Sequence, residues 1–186
     1  MKQLTTARLT GRRLTRNDWS FFCHLYQDRQ VMRFITDPLS EAEIRERFTL
    51  RLADWDRHSS HWLCLLLSEG EQGRPVGLTG RCMTDPGIAE AGFILSREGQ
   101  GKGYGSESLH ALSSAFFGGG YGHRLFCRVT EGNTPCVRLM ERCGFHYEGC
   151  LRQSFWLDGG WRNDLLFSRL SSDPKVPETA AGRWSV

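Results

Sequence analysis

Residues 96–109, SREGQGKGYGSESL, constrain this chain more than any other stretch. They set four glycines and a lysine between an apolar run, IAEAGFIL, and a pattern with Leu109, Leu112 and Phe116 on one helical face. A strand that turns through glycines into a helix brings backbone N–H groups to the helix start, where the dipole adds about half a positive charge. A pyrophosphate suits such a place. Two well-known phosphate loops do not fit, however. In a G-x-G-x-x-G fingerprint the third glycine would fall on Tyr104, Ser106 or Ser108, depending on register. The acid expected about 20 residues further on is replaced by Arg124 and Arg128. A Walker A loop would need glycine at Ser96 and a hydroxyl at Gly103. What remains is Gln100-Gly101-Lys102-Gly103-Tyr104-Gly105, of the form Q-x-x-G-x-G. The alternative is that these glycines serve only a tight turn.

The rest of the chain supplies elements around that junction. Trp19, Phe22, Cys23 and Tyr26 recur at helical spacing, with Asn17 or Thr15 as the cap. Ser40 and Glu43 form a capping box before Ile44, Phe48, Leu52 and Trp55, which predicts a second helix just after Pro38. HWLCLLLS (61–68) and VGLTGRCM (76–83) are strand-like and joined by a turn-rich link, as in a hairpin. After the loop helix, GGGYG (118–122) is a stop, RLFCRVT (124–130) a strand, and Thr134 with Pro135 the start of a helix ending at Gly144. HYEGCLRQSFWL, the turn DGG and WRNDLLFSRL make a closing hairpin. The sum is a mixed sheet with helices on its faces, an α/β (α+β) domain spanning residues 1–170. Residues 171–186, richer in proline and small polar residues, read as a flexible extension.

Composition narrows the setting. Of 186 residues, 39% are hydrophobic and 24% charged, with a net charge of +3, the profile of a folded domain. No basic run marks a nucleic-acid partner, and no apolar run is long enough for a membrane span or a signal peptide. The expected place is the cytosol. The seven cysteines contain no C-x-x-C pair and mostly sit in apolar periodic segments, as reduced buried thiols do. His58, His61 and Cys64 have ligand-like spacing, but they run from a helix end into a strand and lack a fourth partner, so no metal is expected. Trp62, Phe155, Trp156 and Trp161 are read mostly as core, with Trp161 the most exposed.

These spaced features together resemble the GNAT superfamily of acetyl-CoA-dependent N-acyltransferases. Its signature is Gln or Arg, two residues, Gly, one residue, then Gly or Ala, following the fourth strand. NTPCVRLMERCGF (133–145) is similar to a second family segment, with Asn133, Gly144 and Phe145 in register. The hairpin with Glu148-Gly149, Arg152, Asp158-Gly159, Trp161 and Asp164, and the opening ARLTGRRLTRNDWSFF, resemble the RimJ/RimL-like branch of ribosomal-protein N-terminal acetyltransferases. The likeness covers residues 7–170.

The resemblance implies a sheet of about seven strands with helices on both faces, and strands four and five splayed at the CoA site. It implies acetyl-CoA as co-substrate, held by Gln100, Gly101, Lys102, Gly103, Tyr104, Gly105 and Ser106, by backbone N–H groups of Phe93, Ile94 and Leu95 facing the oxyanion, and by Asn133 on the pantetheine arm. It implies direct attack by a primary amine in a ternary complex, the acceptor being a protein N-terminus or a small amine, in a monomer or homodimer. Glu90 is the candidate base, the alternative being a surface charge. The usual tyrosine acid is replaced by Met140. Cys136 stands where the branch often has serine and is the candidate acid, with a pKa lowered by its helix turn. Alternatively, the thiolate leaves without help from an acid. An acetyl-CoA-binding sensor with weak or no chemistry is the other function these departures admit.

Overall fold

A computed structural model describes residues 3–70 and 73–176. Strands β1 (Gln3–Thr5) and β2 (Leu9–Arg13) open the chain, followed by helices α1 (Trp19–Gln27), α2 (Arg29–Met32) and α3 (Glu41–Leu52). Strands β3 (Leu63–Glu69), β4 (Pro75–Asp85) and β5 (Ile88–Leu95) lead to helix α4 (Tyr104–Gly118). Then come β6 (Arg124–Thr130), α5 (Thr134–Arg142), β7 (His146–Leu157) and β8 (Gly160–Leu170).

The strands form one mixed sheet in the order β1-β2-β3-β4-β5-β6-β8-β7. The α/β class and the helices on both faces are as expected. The strand count is eight among the described residues, where about seven were expected. The additional strand is β1, three residues paired with β2 and too short to show a period.

Local chemistry explains most element ends. Thr15 heads the first helical segment, its N–H and hydroxyl both donating to Asp18 Oδ2 at 2.7 and 2.9 Å. Ser40 and Glu43 close the expected capping box: Ser40 N donates to Glu43 Oε2 at 2.7 Å and Glu43 N to Ser40 Oγ at 3.3 Å. The cap of α5 differs by one residue from expectation. Asn133, not Thr134, accepts from Cys136 N at 3.4 Å. Helix α2 was not foreseen; its four residues are capped by Asp28, which accepts from Gln30 N and Val31 N.

Alternation along the strands feeds two main cores. Ala89, Ala91, Leu125, Cys127 and Val129 point toward α4 and α5, where they meet Leu109, Leu112, Phe116 and Met140. On the other face Leu66 and Leu78 meet Phe22, Leu25, Ile44 and Phe48 of α1 and α3. Each such large apolar side chain contributes about 1.5–3 kcal/mol when buried. The seven cysteines are free; Cys64, Cys127 and Cys143 are buried and Cys150 is exposed.

Residues 171–176 of the expected flexible extension are held in place by hydrogen bonds. Leu170 N donates to Asp173 Oδ2 at 2.8 Å, Arg169 Nη2 to Pro174 O at 3.2 Å, and the His110 ring meets Val176 O at 3.0 Å. These bonds hold this segment against the end of β8 and against α4. The remainder, 177–186, lies outside the described residues.

Candidate active site

Strands β5 and β6 are the parallel neighbours of the sheet, and they part early. Ile88, Ala89 and Glu90 pair with Arg124, Leu125 and Phe126, and the register ends there. From Ala91 to Leu95, β5 stays paired with β4 while its other edge faces a gap. This is the splay expected between the fourth and fifth strands. Phe93, Ile94 and Leu95 lie along it.

The glycine loop lies at the open end of that gap. Ser96 Oγ accepts from Gly99 N at 3.3 Å, which starts a tight turn, and Gln100 Nε2 donates to Leu95 O at 3.0 Å. Arg97 grips Asp28 with two bonds, 2.7 and 2.9 Å, tying the turn to the corner between α1 and α2. Gly101 and Gly103 have φ of 75° and 82°, the left-handed region that favours glycine. Gly105 serves a different purpose: a Cβ there would stand 2.6 Å from Leu139 Cδ1, which would have to turn aside for α4 to start this close to α5. The first turn of α4 leaves the N–H groups of Tyr104, Gly105 and Ser106 without intrahelical acceptors.

Two loop side chains turn away from the gap. Lys102 Nζ is 3.1 Å from Glu69 Oε1, and Tyr104 Oη donates to the same oxygen at 2.7 Å. The loop therefore offers its backbone, with the Lys102 ammonium engaged at the end of β3.

Glu90 sits where the strands part, on the face opposite the α4 core. It is half-buried, and burial raises its carboxyl above the ordinary range. Arg128, 4.0 Å away, pulls it down, while Asp164 pushes it up. Asp164 is 9% exposed and its carboxyl is also raised by burial, against a 3.1 Å hydrogen bond from Ser154 Oγ. No spacing in the sequence links Arg128, Ser154 or Asp164 to Glu90. Sheet pairing brings them together, with Thr130 of β6 opposite Asp164 of β8.

At the start of α5, Asn133 is half-buried. Its amide oxygen caps the helix, which leaves the amide NH2 as the end able to donate to a ligand. Cys136 departs from expectation. It packs against the α4–α5 core, and burial, with Cys143 nearby, pushes its thiol up to about 12. Desolvation outweighs the helix dipole here. Passing a proton from such a thiol to a departing thiolate of ordinary pKa, about 8.5, runs uphill by about 5 kcal/mol. Met140, 1% exposed, is core.

The other sequence constellations separate. His61 Nε2 meets Asp54 O at 3.0 Å, whereas Cys64 is buried in the α1–α3 core with its thiol pushed up to about 11. Trp156 and Trp161 are both exposed, stacked edge to face at 5.5 Å near the hairpin tip, so Trp156 is not core as expected. The tip is tied to the α2–α3 loop by Asp158 N donating to Asp37 Oδ1 at 2.8 Å.

Comparison with known proteins adds an independent line. Residues 8–146 match the family model described as an acetyltransferase (GNAT) domain. An uncharacterized N-acetyltransferase of Bacillus licheniformis, p20, is 26% identical over 177 residues, 93% of this chain and 98% of that protein. The crystal structure of spermidine N-acetyltransferase from Vibrio cholerae in complex with CoA and spermine matches with a TM-score of 0.77 at 25% identity, covering 90% of this chain and 98% of the other. RimL, a ribosomal L7/L12 alpha-N-protein acetyltransferase solved with coenzyme A, has the same fold: TM-score 0.77 at 20% identity, covering 92% of this chain and 100% of the other.

Proposed function

This chain belongs to the GNAT acetyltransferase family, and from that membership we propose that it transfers the acetyl group of acetyl-CoA to a primary amine by direct attack in a ternary complex. The observation that carries the proposal is the parting of β5 and β6 immediately after Glu90, with the glycine loop and the α4 start at the open end. A thioester arm fits such a gap, and the loop geometry fits a pyrophosphate. Gln100, Gly101, Lys102, Gly103, Tyr104, Gly105 and Ser106 would hold the pyrophosphate through their backbone. Asn133 would donate to the pantetheine, and N–H groups of Phe93–Leu95 would meet the developing oxyanion.

In this reading Glu90 takes one proton from the incoming ammonium, directly or through water. The amine lone pair forms the C–N bond, and the C–S bond breaks with its electrons left on sulfur. The second amine proton ends on that sulfur, and the proton on Glu90 passes to solvent. Cys136 has no proton-transfer role in this scheme and serves as packing at the start of α5.

The acceptor is a peptide N-terminus or a small amine, the two kinds of substrate named for the RimL and Vibrio cholerae enzymes. The hairpin and opening motifs support placement in the RimJ/RimL-like branch, working in the cytosol as a monomer or homodimer. No helix among the described residues is long and apolar enough to cross a membrane. A second reading, an acetyl-CoA sensor with weak chemistry, is favoured by one observation: the Cys136 thiol is pushed up to about 12, a poor acid, and Met140 has no proton to give.

An amine and N-terminal-peptide panel with acetyl-CoA, read by thiol release, separates the two. An enzyme releases thiol only when a suitable amine is present. Stabilisation by acetyl-CoA with no release for any amine would favour the sensor, and absence of both would sink the CoA reading.

A further inference from the structure

The opening turn of the chain reaches the cofactor loop. Glu107, in the first turn of α4, is 8% exposed and gathers four donors from the turn between β1 and β2. Thr6 Oγ1 and Arg8 N donate to its Oε1 at 2.6 and 2.9 Å. Arg8 Nε and Nη2 reach its Oε2 at 2.7 and 2.6 Å. The same guanidinium lies 4.8 Å over the Tyr104 ring, and its Nη1 donates to the Lys102 carbonyl at 3.0 Å.

We infer that Arg8 is a positioning residue for the cofactor: by holding the Lys102 carbonyl it aims the Gly103 N–H into the loop. The inference rests on the reading of residues 100–106 as the CoA loop. The Lys102–Gly103 peptide is planar and trans, so its C=O and N–H point to opposite sides. A carbonyl drawn toward Arg8 sets the N–H away from Arg8. Such an anchor matters at this peptide because Gly103, at φ 82°, accepts either sign of φ and gives the plane little resistance to flipping. The N–H groups that follow are set by the helix and need no such support.

The bond geometry assigns two tasks to one side chain. Glu107 needs a cation, since a nearly buried carboxylate is costly when unpaired, and Lys102 needs a donor in a second direction. The planar fork of arginine serves both, whereas the single ammonium of lysine serves one.

The test compares wild type, Arg8→Lys and Arg8→Ala by calorimetric titration with CoA and with 3′-dephospho-CoA, together with acetyl-CoA KM and kcat. Arg8→Lys keeps a cation for Glu107 and therefore the fold. Its Kd for CoA and its KM rise about 5- to 10-fold, the worth of one hydrogen bond, with kcat within about twofold. The same loss appears with 3′-dephospho-CoA, because the aimed N–H serves the pyrophosphate. Unchanged affinity in both variants, even with a lower Tm, would make Arg8 merely structural and overturn the inference. A loss that vanishes with 3′-dephospho-CoA would overturn it too, placing Arg8 on the 3′-phosphate. Failure of the wild type to bind CoA would bring down the CoA reading and the anchor together.

Discussion

Glu90 sits under two opposing demands. The proposed reaction asks it to accept a proton, and the site half-buries it beside Arg128 and within reach of Asp164, with burial raising its carboxyl from the ordinary value. Its folded-state pKa is raised, so its contribution to stability is fully present below the unfolded pKa, about 4.3, and is lost as pH rises through the folded value. At neutral pH the charged Glu90 therefore costs stability. Glu90→Gln should lower kcat/KM by about 100-fold or more while leaving Tm at neutral pH unchanged or higher. The wild-type acid limb, displaced above the ordinary carboxylate range, should disappear in the variant; a limb that persists would assign it to the other raised carboxyl, Asp164. Cys136→Ala, in contrast, should change turnover by less than about twofold, because a thiol at about 12 holds its proton throughout the working range. At this scale the place of Glu90 on the strand that leads to the glycine loop was legible from the sequence. Its neighbours Arg128 and Asp164 were not, because they meet it through β5–β6 and β6–β8 pairing, which no local pattern encodes. The burial of Cys136 was equally hidden, being set by Cys143 and the α4–α5 packing.

Among the elements, the strand-to-helix junction carries the most specific demands, and its glycines are not equivalent. Alanine at Gly103 would have to hold φ near 82°, at a cost of about 1–2 kcal/mol, with its Cβ 3.3 Å from Arg8 Nη2. That strain falls on the loop itself, so Gly103→Ala should weaken CoA binding about 10-fold, measured by titration. Gly105 has ordinary helical geometry, and alanine would gain about 1 kcal/mol of helix propensity there. Against this, its Cβ would meet Leu139 at 2.6 Å, and overpacking a core contact typically costs about 1–3 kcal/mol. Leu139 is itself buried, so packing outweighs propensity and Gly105→Ala should lower Tm; a higher Tm would show that Leu139 yields freely. Elements with strong punctuation were legible from the sequence. The Ser40–Glu43 box, the GGGYG stop and the Asp158-Gly159 turn each carry their own chemistry. The start of α5 was displaced by one residue because Asn133 and Thr134 are both good caps, and a 3.4 Å bond to Cys136 N selects Asn133. Strand β1 and helix α2 are too short for any periodicity to show.

For the whole molecule, the sheet consists of two parts meeting at a short seam. Strands β1 to β5 form one part and β6, β8 and β7 the other, joined by three residue pairs between β5 and β6 and by the core beneath α4 and α5. The alternation of strand and helix foretold the layers, but nothing in the sequence says where two parallel strands stop pairing. A ligand in the gap would bridge the two parts by hydrogen bonds the protein alone does not make. Binding to the folded state alone, at 100 times Kd, adds about 2.7 kcal/mol, which in a chain of this size raises Tm by about 5–10 °C. Overall stabilisation would follow from a ligand bound anywhere, so the informative measurement is local. On addition of acetyl-CoA, hydrogen exchange should slow along Ala91–Leu95, at the loop 100–106 and along Cys127–Thr130, beyond any change in the β3–β4 hairpin, which is paired without the ligand. Equal slowing across the sheet, or protection confined to the loop with both strand edges unchanged, would mean that the arm of the ligand does not lie between β5 and β6.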